Sequence, residues 1–207
     1  MKIVIFGPTG GTGQELMRQA LAAGHDVTAF TRNPQAIEAG AHLNVLAGDA
    51  FDEAAVERAV NGNNAVLSAL GGRPGRTNDI CLRAIRNITA AMLKHGLRRI
   101  VAMSTHGAAE TRPHVGWFER NLLFKTLLRA EVADKEAMEN VLAGTDLEWV
   151  IVRVGRLLGG PPRGEWRVAD DGSIRGMGKI ARADVAAFML AQLEQDTWLR
   201  RKPVIVY

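Results

Sequence analysis

The sequence predicts an α/β fold, a doubly wound and mainly parallel sheet with helices on both faces, formed by residues 1–207 as a single domain. Short apolar runs rich in β-branched residues alternate with segments of helical periodicity, and no linker or internal repeat divides the chain. Strands that alternate with helices form parallel sheets, because each helix carries the chain back to the end where the next strand begins. A length of 207 residues also suits one hydrophobic core.

These patterns predict each element in turn. The β-branched run Lys2–Phe6 predicts the first strand, and residues 11–23 carry apolar residues at helical spacing. The same patterns predict strands at 26–31, 42–47, 65–70, 99–103, 147–152 and 203–206, and helices at 52–60, 77–95 and 182–193.

Two segments interrupt the alternation. Residues 111–128 are rich in bulky apolar side chains, and residues 159–178 contain two prolines and six glycines, a composition typical of a long loop. Ligands of doubly wound sheets bind beyond the carboxyl ends of the strands, and both segments follow strands at that end. We therefore predict that the substrate-side parts of the domain lie around 106–130 and 154–180.

The composition is that of an ordinary soluble protein, with 47% hydrophobic and 23% charged residues. No apolar run approaches the roughly 20 residues that span a bilayer, and residues 3–6 are too short for the core of a signal peptide. We therefore expect a cytoplasmic protein that does not bind membranes. A lone cysteine, Cys81, excludes an internal disulfide, and the five histidines lack metal-ligand spacing, so no metal is expected.

The net charge of +4 comes from arginines spread along the chain rather than from a basic run with interleaved aromatic residues. Such a run is typical of nucleic-acid binding, which we therefore do not expect. Scattered cations favour small anionic ligands as partners.

A glycine-rich turn, Gly-Pro-Thr-Gly-Gly-Thr-Gly, follows the first strand directly and opens the first helix. Its first glycine permits a tight turn, its middle glycines let the backbone approach a pyrophosphate, and its last allows close packing of helix on strand. The N–H groups and partial positive charge of a helix N-terminus attract that anion. The turn predicts a dinucleotide site with contacts at Gly7, Thr9, Gly10, Gly11, Thr12 and Gly13.

The end of the second predicted strand indicates which dinucleotide is bound. Sites specific for NAD place a carboxylate there to hold the ribose 2′-hydroxyl, but this chain has Arg32. A guanidinium can grip a 2′-phosphate with several donors, so we predict NADP(H). Asp49, followed by Ala50, ends the third strand and could receive the adenine amino group; a carboxylate near a helix N-terminus is the alternative.

The chain has one tyrosine, Tyr207, its last residue. The Tyr-x-x-x-Lys pair with which the usual short-chain dehydrogenases protonate their substrates therefore cannot exist here. Hydride transfer that needs no strong protein acid stays open. Reduction of a flavin, a quinone or a linear tetrapyrrole is of that kind, because solvent can protonate the product.

The glycine turn, the arginine after the second strand and the Gly-Asp pair at 48–49 resemble those of the atypical short-chain dehydrogenase/reductases. Within them, residues 70–73, 86–96 and 100–105 are similar to segments of the biliverdin-IXβ reductase/flavin reductase family. The resemblance implies NADPH as hydride donor and a shallow pocket for planar acceptors. It also implies a nicotinamide site near Leu70, Gly71, Gly72, Arg73, Met103, Ser104, Val154 and Arg156. The chain departs from the family at Ala36, Thr105 and Arg156, and its segment after Thr105 is longer.

Ser104 and Thr105 end the fifth strand, where a hydroxyl would lie beside the nicotinamide. We expect them to orient the carboxamide or to donate to the acceptor, with local capping of the strand end as the alternative. His106 is either a proton source or a solvated loop residue.

Other charged and aromatic residues have open roles. Lys125 and Lys135 are expected on the surface. Arg153 and Arg156 could bind phosphate or an acidic acceptor. The aromatic side chains of the first substrate-side segment pack in the core, stack on a substrate or form a dimer face; they are Trp117, Phe118 and Phe124.

The sequence as a whole predicts an NADPH-dependent reductase of a planar acceptor, with FMN or FAD as a candidate substrate. A non-catalytic NADP(H)-sensing protein is the alternative, since the absent tyrosine fits both. An epimerase or dehydratase acting on a sugar nucleotide is disfavoured, because the chain lacks both the tyrosine–lysine pair and a large substrate domain. A monomer and a homodimer both remain open.

Overall fold

The computed structural model describes residues 1–72, 79–126 and 128–207. In chain order its strands and helices are β1 (Lys2–Phe6), α1 (Gly11–Ala22), β2 (Asp26–Thr31), β3 (Leu43–Ala47), α2 (Glu53–Val60), β4 (Ala65–Ser68), α3 (Ile80–Lys94), β5 (Arg99–Thr105), α4 (Arg129–Ala143), β6 (Glu148–Val154), β7 (Arg156–Leu158), β8 (Arg167–Ala169), β9 (Lys179–Ala181), α5 (Arg182–Ala191) and β10 (Val204–Val206).

Eight of these strands form one sheet in the order β3-β2-β1-β4-β5-β6-β10-β8. Every described pairing in it is parallel except that of β10 with β8. The order reverses between β1 and β4, which makes the crevice at their carboxyl ends the expected ligand site. The predicted fold class, a doubly wound and mainly parallel α/β sheet, is confirmed.

The sheet is buried on both faces, as the continuous apolar runs of its strands require. In β1, Ile3 and Ile5 pack toward α1 and α5, whereas Val4 and Phe6 pack toward α2, α3 and α4. Successive side chains of a strand point to opposite faces, so one strand contributes to both layers of the core.

A helix that carries Lys135 was expected, but the sequence patterns did not give the bounds of α4 and missed the short strands β7, β8 and β9. They also missed a 3₁₀ helix at Ala109–His114 and a π-helix at Glu119–Leu123. Trp117 and Phe118 in this region are exposed, so the possibility that they pack in the core was wrong. Phe124 does pack in the interior, where it is buried against Val115. None of the described helices is long and apolar enough to cross a membrane.

The expected loop at 159–178 is held by a buried carboxylate. Asp184 on α5 is fully buried and accepts hydrogen bonds from the N–H groups of Arg163 and Gly164, at 2.9 and 3.0 Å. The hydroxyl of Tyr207 donates to the same carboxylate at 2.5 Å. Burial alone would raise the pKa of Asp184, but these hydrogen bonds lower it. The tyrosine of this chain therefore has a structural partner.

Helix α4 buries charged side chains against the sheet. Glu139 is fully buried and accepts from the Arg153 guanidinium of β6 at 2.5 and 3.0 Å. Ser104 of β5 donates to the same carboxylate at 2.6 Å, and the Lys202 ammonium lies 3.3 Å from it. Arg153 also contacts Glu110, and its hydrogen bond lowers the pKa of that carboxyl to about 2.

A neighbouring residue ties α4 to a second helix. Asp134 is buried, and its two carboxylate oxygens accept from the N–H groups of Cys81 and Leu82, each at 2.9 Å. These N–H groups belong to the first turn of α3, where the helix itself offers no acceptor. A side chain of α4 therefore caps α3.

The buried pair predicts a strong coupling between two substitutions. Glu139→Ala leaves the Arg153 guanidinium without its buried partner and should lower the free energy of unfolding by about 3–5 kcal/mol. Combining it with Arg153→Met should restore part of that loss, because no unpaired charge stays buried. Denaturant unfolding measures both variants. Arg18→Ala, which removes the exposed partner of Glu15 on α1, is the control and should cost less than about 1 kcal/mol. Equal losses in the single and double variants would contradict the argument.

Candidate cofactor-binding site

The glycine turn after β1 is sterically restricted at two of its glycines. Gly7 has a φ of 81°, and a Cβ there would lie 3.0 Å from the carbonyl carbon of Ala69. A Cβ on Gly13 would lie 2.0 Å from the carbonyl oxygen of Gly7. Only glycine allows the start of α1 to pack this closely on the turn, as the sequence predicted.

The N-terminus of α1 is open to a ligand. Gly10 stands at the cap position with φ −74° and ψ 157°, and within the described chain no side chain caps the helix. The first turn, with the buried Thr12, holds no acidic residue. Its N–H groups therefore point outward with the positive end of the helix dipole, beside the exposed Thr9.

Arg182, the first residue of α5, adds a cation here that the sequence analysis missed. A Cβ on Gly11 would lie 2.7 Å from Arg182 Cδ, so this side chain lies across the start of α1. Helices α1 and α5 pack together on one face of the sheet, which brings their N-termini side by side. No local sequence signal links residues so far apart.

From the glycine turn an open groove extends over the carboxyl ends of β1, β2, β3 and β4. It is lined by Gly7, Pro8, Thr9, Phe30, Thr31, Arg32, Gly48, Asp49, Ala50, Phe51, Leu70, Gly71 and Ile80. The structure therefore brings together the turn, the predicted arginine and the predicted carboxylate.

Arg32 and Asp49 stand at the same end of this groove. Arg32 is exposed and forms no ion pair or hydrogen bond with the described residues. Asp49 accepts the N–H of Phe51 at 3.0 Å with one oxygen, while Asp52 caps α2. The guanidinium of Arg83 lies 3.9 Å above the Phe51 ring, a stack at the groove wall that the sequence analysis missed.

The predicted nicotinamide residues are only partly brought together. Leu70 and Gly71 line the groove, and the half-buried Gly72 follows. Met103 is half-buried in β5. Arg73 lies outside the described residues.

Val154 and Arg156 lie farther along the chain. Val154 is buried in the core, and its carbonyl accepts the N–H of His106 at 2.8 Å. Arg156 is exposed in β7. Val154 therefore does not contact the groove.

The end of β5 differs from the prediction at Ser104. Its hydroxyl is buried and donates to Glu139, because Ser104 shares a strand face with Ala102 and points toward α4. The geometry thus places Ser104 in the buried ion cluster rather than in the groove. Thr105 is half-buried and donates to the carbonyl of His106 at 3.3 Å, so its catalytic role stays a prediction.

His106 is not a solvated loop residue. It is fully buried, and its ring nitrogens have no hydrogen-bond partner among the described residues. Burial lowers the pKa of His106, which keeps the imidazole neutral.

Two further expectations about charged residues were wrong. Lys135 is only 4% exposed, and its ammonium donates to the carbonyls of Leu70 and Met103 at 2.6 and 2.7 Å. Arg153, a candidate for ligand binding, is only 1% exposed and is committed to Glu139. Both side chains are buried and bind other protein groups near the carboxyl edge of the sheet. Lys125 is exposed, as expected.

Comparison with known proteins adds a family match. A family model described as NAD(P)H-binding matches residues 7–196. The chain is 28% identical over 160 residues to an uncharacterized protein of Mycobacterium tuberculosis, and 31% identical over 173 residues to the 2-alkyl-3-oxoalkanoate reductase of Stenotrophomonas maltophilia. These alignments cover 77% and 78% of the chain but only 15% and 52% of the relatives.

Solved structures share the fold over the whole chain. The anaerobillin reductase ChuY from Escherichia coli O157:H7 has a TM-score of 0.85 at 24% identity, covering 100% of this chain and 97% of that chain. A short-chain dehydrogenase/reductase from Veillonella parvula in complex with NADP has a TM-score of 0.84 at 18% identity, covering 100% and 94%. The family match shows the NAD(P)H-binding family, and these structures confirm the Rossmann-type fold.

The open helix terminus predicts that one substitution will separate stability from binding. Gly10 has backbone angles suited to an N-cap, and a Cβ there would meet only the Gly7 carbonyl oxygen, at 3.6 Å. Gly10→Asp should keep or slightly raise the melting temperature, because the carboxylate can cap α1. The same carboxylate should weaken NADPH binding at least about 100-fold by repelling the pyrophosphate. Melting curves and calorimetric titration measure the two effects, and NADPH affinity within about twofold of the unchanged protein would contradict the site.

Proposed function

The chain belongs to the NAD(P)H-binding family, and on that premise we propose that it is an NADPH-dependent reductase of a planar conjugated acceptor. A flavin, a quinone or a linear tetrapyrrole has the required chemistry. Reductases recur among the similar proteins, one described as an anaerobillin reductase and one as a 2-alkyl-3-oxoalkanoate reductase.

The exposed Arg32 at the end of β2 is the observation that carries the proposal. A guanidinium on the groove wall that has no partner among the described residues supplies several donors where the ribose 2′ position of a dinucleotide would lie. A free ribose hydroxyl would call for a carboxylate at this place, and the strand end Thr31-Arg32-Asn33 has none. The groove residues therefore fit NADP(H) with the pyrophosphate on α1.

The acceptor class is supported by two hydroxyl groups that are bound elsewhere. Its tyrosine hydroxyl is bound to Asp184, and the Ser104 hydroxyl is bound to Glu139. Neither is placed to protonate a simple ketone. A conjugated acceptor spreads the negative charge that hydride adds, so it depends less on a strong acid at one atom.

Replacing Arg32 tests the cofactor preference. Arg32→Ala should weaken NADPH binding by about 10- to 100-fold, because charge-assisted hydrogen bonds to the 2′-phosphate are lost. NADH binding should change less than about threefold. Arg58→Ala removes another exposed arginine, outside the groove, and should leave both affinities unchanged. Calorimetric titration measures the affinity of each variant for NADPH and for NADH relative to the unchanged protein. Equal weakening of NADPH and NADH binding by Arg32→Ala would show that the predicted preference for NADP(H) is wrong.

A turnover assay tests the activity itself. The protein is mixed with NADPH and, in turn, FMN, FAD, a quinone or biliverdin, while the nicotinamide absorbance is followed. We expect NADPH oxidation with at least one acceptor, and we expect it to be lost in Gly10→Asp. Tight NADPH binding without oxidation by any acceptor would refute the reductase and favour a non-catalytic NADP(H) sensor.

A further inference from the structure

A carboxyl group at the start of α4 has no assigned role so far. Glu131 and Lys135 stand four residues apart, which puts them on the same face of the helix. The Lys135 ammonium reaches the carbonyls of Leu70 and Met103 at the ends of β4 and β5. This face of α4 therefore points at the carboxyl edge of the sheet, where the groove passes Leu70.

The direction of α4 places Glu131 closer to that edge than Lys135. The helix connects the carboxyl end of β5 to the start of β6, and these strands are parallel neighbours. It therefore runs opposite to the strands, with its N-terminus at the carboxyl edge. Glu131 lies in the first turn, about 6 Å along the axis beyond Lys135. A ligand that extends from the groove over the ends of β4 and β5 would approach this turn.

Glu131 is half-buried, and no described side chain forms a salt bridge with it. Its charged neighbours are engaged elsewhere, since Asp134 holds the first turn of α3 and Lys135 holds the two strand ends. Cys81 on α3 stays neutral, because burial raises the pKa of its thiol to about 11.

The electrostatic surroundings favour the protonated form of this group. Burial raises the pKa of Glu131, and the nearby Asp134 carboxylate raises it further, while the Lys135 ammonium opposes both effects. A carboxyl that keeps its proton closer to neutrality than an ordinary glutamic acid can act as a general acid.

We propose that Glu131 is the catalytic acid of the reduction. The inference rests on the proposed function. Glu131 transfers its carboxyl proton to a heteroatom of the acceptor, as the acceptor receives a hydride with two electrons from NADPH. Glu131 then takes a proton from solvent, so that NADPH, one proton and the acceptor give NADP⁺ and the reduced acceptor. Solvent supplies the proton through Glu131 rather than directly.

The test compares Glu131→Gln, Glu131→Asp and the control Glu194→Gln, which changes an exposed glutamate that follows the C-terminus of α5 and does not line the groove. With the best acceptor of the turnover assay, Glu131→Gln should lower kcat about 100- to 1,000-fold and leave the Kd of NADPH within twofold. Glu131→Asp should recover part of the rate, and Glu194→Gln should match the unchanged protein. A loss of kcat that comes with loss of NADPH binding would indicate a structural role and overturn the proposal.

Two further readouts separate an acid from a packing group. The kcat of the unchanged protein should fall as the pH rises through the raised pKa of Glu131, since the acid is active only when protonated, and Glu131→Gln should lack this fall. Without any acceptor, infrared difference spectra across the same pH range should show a carboxyl band that titrates in the unchanged protein and is missing in Glu131→Gln.

The outcomes distinguish the inference from the function on which it rests. Turnover by Glu131→Gln at the rate of the unchanged protein would overturn the role of Glu131 and leave the reductase standing. An absence of turnover by the unchanged protein with every acceptor would overturn both.

Discussion

The carboxyl edge of the sheet depends on the charges that α4 buries. Asp134, Lys135 and Glu139 are each at most 5% exposed, and a buried charge is strongly unfavourable unless it is paired or hydrogen-bonded. Each therefore binds a different neighbour: the first turn of α3, the strand ends of β4 and β5, and the guanidinium of β6. One helix thus ties α3, β4, β5 and β6 together at the carboxyl edge of the sheet.

At the cofactor end of the groove, polar groups are left without protein partners among the described residues. There, the N–H groups at the start of α1 and the guanidinium of Arg32 have no partners in the described protein. Polar groups that a fold leaves unsatisfied beside a groove are available to a ligand, whereas those of α4 are already used. This contrast separates the residues that bind from the residues that support them, although both sets are charged or polar.

Hydroxyl groups near the end of β5 and just after the last strand are also already bound. Hydroxyl groups that could have served catalysis are bound to buried carboxylates, Ser104 to Glu139 and Tyr207 to Asp184. The second of these bonds helps to hold the loop at 159–178, through the same carboxylate that binds Arg163 and Gly164. Glu131 lies one helical turn before a lysine that is held by two backbone carbonyls at this edge.

The sequence by itself determined the alternation of strands and helices, the glycine turn and the arginine at the end of β2. These features depend on local rules, namely side-chain periodicity, the steric freedom of glycine and the order of residues along one strand. Only the tertiary structure decided which charged residues are buried. Lys135 and Arg153 look like surface residues in the sequence, and Ser104 like a free hydroxyl, because a charge pattern does not show which partner lies across the core. The place of Arg182 over Gly11 was decided in the same way, since residues 171 positions apart meet only when α1 and α5 pack on one face of the sheet.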